Sequence, residues 1–145
     1  MKRKGSLMEY SEERSRDLAR AYHQYVSTHK FIVMGELYSF LAKTAAPCFY
    51  VSETRAYQVV SAMIGGKEET YRGMRRQKRE MFEEIHKRTM RIAREEPEMT
   101  IREIIRKVIR QRAPRFYMSV ASIKACLCRM RKEWRKMGYY RIPCK

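Results

Sequence analysis

Two segments of this chain, Ala46-Pro47-Cys48-Phe49-Tyr50-Val51-Ser52 and Ala113-Pro114-Arg115-Phe116-Tyr117-Met118-Ser119, share five of seven residues and lie 67 positions apart. A period of that length constrains the fold first, because each copy has to build the same kind of supersecondary unit. Sliding residues 11–64 onto 78–131 needs no gap, and the apolar positions coincide as well. Leu18 falls on Ile85, Tyr25 on Ile92 and Met34 on Ile101; Leu37 falls on Ile104, Leu41 on Val108, Val60 on Leu127 and Met63 on Met130. The expectation is an all-α protein built as a tandem duplication of a three-helix unit, about six helices in total.

Within each copy the elements follow from periodicity and capping. The first helix is expected over about 11–28 and 74–94, where Met81, Ile85, Thr89 and Ile92 form one apolar face. The second is expected over about 33–43 and 101–111. Thr100 and Glu103 make a capping box at its start, whereas Val33 stands in the Thr position of the first copy and leaves that start weaker. Pro47 and Pro114 bias the preceding Ala away from helical geometry, so the second helix ends before them. Ser52 and Ser119 can each cap a third helix. Behind those caps Ala56, Val59, Val60 and Met63 match Ile123, Cys126, Leu127 and Met130, leaving the opposite face open.

The Phe-Tyr pairs of the repeated segment sit in the turn between second and third helices. Their rings suit a plug between helices, with base stacking by the Tyr rings as the alternative. Gly65-Gly66 ends the third helix of the first copy. The organisation read from the chain is a basic tail over 1–10, a first unit over 11–64, a glycine-bounded connector over 65–73, a second unit over 74–138 and a tail over 139–145. Met130, Trp134 and Met137 extend the last apolar face, so the final helix runs about two turns beyond its counterpart.

Thirty-three Lys and Arg stand against sixteen Asp and Glu, a net charge of +17 that attracts polyanions. Residues 1–66 hold nine basic and six acidic groups, and residues 67–145 hold twenty-four and ten. No stretch approaches the roughly 18 apolar residues that a membrane span needs, and Met1-Lys2-Arg3-Lys4 leads into no apolar signal core. The expectation is a cytoplasmic protein, nucleoid-associated in a bacterium, with no membrane partner. Cys48, Cys126, Cys128 and Cys144 show no disulfide framework, which suits a reducing compartment.

Two helices separated by a turn, the second Ser-capped with an open polar face, resemble the helix-turn-helix class of DNA-binding proteins. The connection over 44–51 and 111–118 is longer than the standard turn of that class. The resemblance implies that the third helix of each copy docks at a groove, with residues near its start at base edges. It places Glu53, Thr54, Arg55, Gln58 and Ser61 outward in the first copy. Arg and Gln can pair with guanine and adenine edges, so Arg55 and Gln58 become candidate readers. The second copy offers Ser122, Lys124, Arg129, Arg131 and Lys132, flanked by Arg112, Arg115, Arg135 and Lys136. The strongly basic second copy would grip phosphates, and the nearly neutral first copy would read bases modestly or meet a protein.

Other chemistries find little support in the sequence. Cys126 and Cys128, two apart on a helix, point about 200° apart and cannot share a metal ion. His23, His29 and His86 have no ligand spacing with them. There is no phosphate-binding glycine loop, nucleophile elbow or metalloprotease motif, and the acidic pairs sit beside Arg or Lys at helical spacing. The reading is a non-enzymatic DNA-binding protein with no cofactor and no metal: a small transcriptional regulator or a mobile-element or nucleoid accessory factor, partnered by duplex DNA. RNA binding and a basic adaptor for an acidic protein are the alternatives, with a homodimer or protein partner met through the first copy.

Overall fold

A computed structural model describes residues 10–138 of the chain. Among them it has six α-helices and no strand: α1 (Ser11–Thr28), α2 (Met34–Lys43), α3 (Glu53–Ile64), α4 (Arg76–Glu95), α5 (Ile101–Ile109) and α6 (Val120–Lys136), with a single 3-10 turn at Glu68–Thr70. The fold is all-α.

The helix boundaries lie where local chemistry sets them. Thr100 and Glu103 form the reciprocal capping box at the start of α5, whereas Val33 gives α2 no side-chain cap. The hydroxyls of Ser52 and Ser119 accept from the backbone N–H groups of Arg55 and Ser122, each at 3.1 Å. α3 closes in a Schellman turn around Gly66, whose φ of 71° suits glycine: Lys67 N–H donates to the Ala62 carbonyl at 2.8 Å and Gly66 N–H to that of Met63 at 3.3 Å. α2 and α5 begin at 34 and 101, α3 and α6 at 53 and 120, so these starts keep the 67-residue spacing. α6 outruns α3 by five residues, about one and a half turns. The repeated turns are not conformationally identical, because Tyr117 alone of the two tyrosines has a left-handed backbone, φ 56°.

Packing does not follow the order of the copies. The sequence suggests that residues 11–64 and 74–138 each close on themselves, and the compact units of the structure are drawn differently. One spans Pro47–Ala113 and contains α3, α4 and α5; the other joins Ser11–Ala46 to the chain from Pro114 onward and contains α1, α2 and α6. Of the two third helices, the one that packs on α5 is α3 and the one that packs on α2 is α6. The chain passes from one unit to the other at Ala46-Pro47 and returns at Ala113-Pro114, the first two residues of each repeated segment.

Each unit has its own apolar centre. In the α3–α4–α5 unit Val59, Val60, Ile85, Ile104, Ile105 and Val108 are fully buried. Arg88 fastens the incoming and outgoing chain to α4. Its guanidinium pairs with Glu84 at 2.9 Å, donates to the Arg112 carbonyl at 2.8 Å and lies 5.1 Å from the centre of the Phe49 ring. In the α1–α2–α6 unit Leu18, Tyr22, Leu37, Leu41, Ile123 and Leu127 are fully buried. Trp134 stacks on Tyr22 at 6.2 Å and Ser15 Oγ lies 3.4 Å from Cys126 Sγ, tying α6 to α1.

Candidate nucleic-acid interface

α6 has two faces of opposite character. Ile123, Cys126 and Leu127 are buried on one side. At 100° per residue, Lys124, Arg129, Lys132, Arg135 and Lys136 fall within an arc of about 140° on the other side. All five are exposed. Lys136 lies 4.0 Å from Glu133, and the other four form no ion pair with a described residue. Ala121 and Ala125, also exposed, occupy the same face toward the helix start and keep it low, which permits close approach of a large partner.

The remaining candidate residues divide between the units. Ser122 and Arg131 belong to α6. Ser122 is spent on the cap, where its Oγ accepts from Ser119 at 3.0 Å, and Arg131 is half-buried beside Cys128, Lys132 and Arg135 around a shallow groove. Arg115 shares this unit and lies 5.3 Å over the Tyr117 ring. Arg112, Arg55 and Gln58 belong to the other unit. Gln58 is exposed on α3 and the Arg112 side chain is exposed, whereas Arg55 is half-buried. The structure therefore gathers eight of the eleven candidates in the α1–α2–α6 unit, seven of them on α6. The tail cations, Arg141 among them, lie outside the described residues.

Two expectations attached to the helix-turn-helix resemblance change. Among second and third helices the pairs that pack are α2 with α6 and α5 with α3, so neither of these second-to-third pairs is consecutive in the chain. The local pattern shows that each helix has an apolar face but does not say which helix covers it. The division into a neutral and a basic half also disappears. Residues 47–113 hold sixteen basic and ten acidic side chains, while 11–46 with 114–138 hold twelve and five. Both units are basic, and α6 supplies the concentrated patch.

The outward side of α3 is largely occupied. Glu53, expected to face outward, accepts from Arg106 through both oxygens, and Arg102 lies 4.5 Å from the centre of the Tyr57 ring. The Arg106 hydrogen bonds hold the Glu53 carboxyl below its ordinary value against the opposing effect of desolvation, and the charges of Arg106, Arg102 and Arg110 add to the lowering. Phe49, Phe116 and Tyr117 are buried, which makes them scaffold rather than stacking platforms. Tyr50 is half-buried.

Sequence reasoning missed a cavity of about 450 Å³ in the α3–α4–α5 unit. Its apolar lining is Tyr50, Val51, Met74, Met81 and Phe82, and its cationic lining is Arg55, Arg75 and Lys78. No local signal links these residues, since the cavity joins segments 50–55 and 73–82, whose nearest members, Arg55 and Gly73, are 18 positions apart.

Cys126 is buried and Cys128 exposed, on opposite faces of α6. Among the described residues no three His, Cys, Asp or Glu side chains are placed to hold a metal ion, and no helix is long and apolar enough to cross a membrane. No protein-family model, curated protein or solved structure matches the chain.

Proposed function

We propose that the protein binds duplex DNA without acting on it chemically, through the outward face of α6, as a small regulator or accessory factor. The observation that carries this reading is the row of Lys124, Arg129, Lys132, Arg135 and Lys136, exposed with almost no carboxylate among them. On the long helix α4 three of the seven cations pair with a carboxylate: Arg76 with Glu80, Arg79 with Glu83 and Arg88 with Glu84. On α6 the only carboxylate is Glu133. Such a row attracts phosphates and gains affinity by releasing their counterions. The burial of Phe49, Phe116 and Tyr117 removes these rings of the repeated turns as stacking platforms for unpaired bases.

The test is a titration of duplex DNA over a range of salt. With four to five phosphates engaged, log K against log salt should fall with a slope of about −4. Arg129→Ala, Lys132→Ala and Arg135→Ala should each reduce the steepness by about one unit. A slope near zero, or one unchanged by all three substitutions, rejects α6 as the contact surface. Single strands binding more tightly than duplex would reject the duplex assignment.

A further inference from the structure

The cavity beside the starts of α3 and α4 is unusual in three respects. Its charged lining is Arg55, Arg75 and Lys78, with no carboxylate among the lining residues. Neighbouring acids are engaged elsewhere: Glu53 by Arg106, Glu80 by Arg76 and Glu83 by Arg79. Arg55 and Arg75 form no ion pair with a described residue.

The second respect is the start of α4. Its N-cap, Arg75, makes no side-chain cap hydrogen bond, and its first turn contains no acid. Arg75, Arg76, Lys78 and Arg79 instead crowd cations against the positive end of the helix dipole, an arrangement that works against helix formation. The Ser52-capped start of α3 borders the same cavity. Local preference is violated here in the direction that an anion would relieve.

The third is size and floor. About 450 Å³ is far more than an inorganic anion occupies and lies within the range of small-ligand sites. Tyr50, Met74, Met81 and Phe82 offer two rings and two polarisable thioethers, surfaces suited to a flat aromatic body.

We propose that this cavity binds a nucleotide-sized phosphate ester, the phosphate held by Arg55, Arg75 and Lys78 and the aromatic base lying over Tyr50, Met74, Met81 and Phe82. The ligand is either a free mononucleotide or the terminal nucleotide of a strand. The proposal does not rest on duplex binding by α6, because it uses residues of the other unit.

The experiment is calorimetric titration of the full chain with adenosine 5′-monophosphate, adenosine and inorganic phosphate, followed by competition with 5′-phosphorylated and 5′-hydroxyl oligonucleotides. The monophosphate should bind saturably and about tenfold or more tighter than adenosine or phosphate alone. Competition by only the phosphorylated oligonucleotide assigns the site to strand ends, and competition by neither assigns it to free nucleotide. Arg75→Asp provides the decisive variant. Aspartate at an N-cap should raise the thermal midpoint by about 4 °C while nucleotide affinity falls about tenfold or more. Lys78→Gln should weaken binding in the same direction. Absence of saturable monophosphate binding, equal binding of bare phosphate, or full affinity in Arg75→Asp would overturn the proposal.

Discussion

Arg106 on α5 grips Glu53 at the first position of α3 through two hydrogen bonds, Nε to Oε2 and Nη2 to Oε1, each 3.1 Å long. The pair joins helices 53 positions apart in sequence. The Glu53 carboxyl is held below its ordinary value, so the unfolded chain takes up this proton at higher pH than the folded one. The contribution of the pair is therefore present above the ordinary carboxylate range and is lost as pH falls through the folded value. Denaturant titrations at pH 6 and pH 3 should show a smaller acid-induced loss of stability in Glu53→Gln than in the parent. Equal losses would mean that the bridge is not kept in solution.

Leu127 is fully buried on the face of α6 that closes the α1–α2–α6 unit, and Val60 is fully buried on α3 in the other unit. Leu127→Ala should cost about 2–5 kcal/mol and Val60→Ala about 2 kcal/mol. The assignment is read by hydrogen exchange rather than by the size of the loss. Leu127→Ala should deprotect amides of α1 and α2, and Val60→Ala those of α4 and α5. Deprotection of α4 and α5 by Leu127→Ala would instead favour closure of each sequence copy on itself.

Much of the local structure was legible before any packing was known. The Thr100–Glu103 box, the Ser52 and Ser119 caps and the glycine stop after Ile64 act within four residues, so their chemistry is written side by side. Partnership was not legible, and the physical reason is that the apolar faces are interchangeable. Val59 and Val60 on α3 and Cys126 and Leu127 on α6 have the same spacing, and either face suits a complementary pair of helices. The cationic face of α6 was visible as composition. Arg88 and the cavity were not, because they join positions as distant as Phe49 and Arg88, or Arg55 and Lys78.

Thr89 is fully buried on α4 and its Oγ1 has no hydrogen-bond partner. A buried hydroxyl in that state carries its desolvation penalty without compensation. Thr89→Val keeps the shape and removes the polar atom, and should stabilise the protein by about 1 kcal/mol. Chemical denaturation gives the result directly, and a destabilisation of similar size would indicate that the hydroxyl is satisfied in solution.

The three helices α3, α4 and α5 lie in one continuous stretch, Pro47–Ala113, whereas α1 and α2 are separated from α6 by that stretch. A fragment spanning 47–113 should be helical alone and melt cooperatively. Residues 11–46 should stay largely unstructured until mixed with 114–138, when circular dichroism should report a gain of helix. A structured 11–46 fragment, or a 47–113 fragment with no cooperative transition, would contradict this division.

Placing α6 with α1 and α2 also sets a timetable for the growing chain. When α1 and α2 leave the ribosome, Leu18, Tyr22, Leu37 and Leu41 must wait for Ile123 and Leu127, with the 67 residues of Pro47–Ala113 translated in between. At ordinary elongation rates that delay is on the order of several seconds, long compared with helix formation. The middle of the chain thus has time to settle first. The apolar faces of α1 and α2, translated before that stretch, find shelter only after it, and for that interval they depend on chaperones.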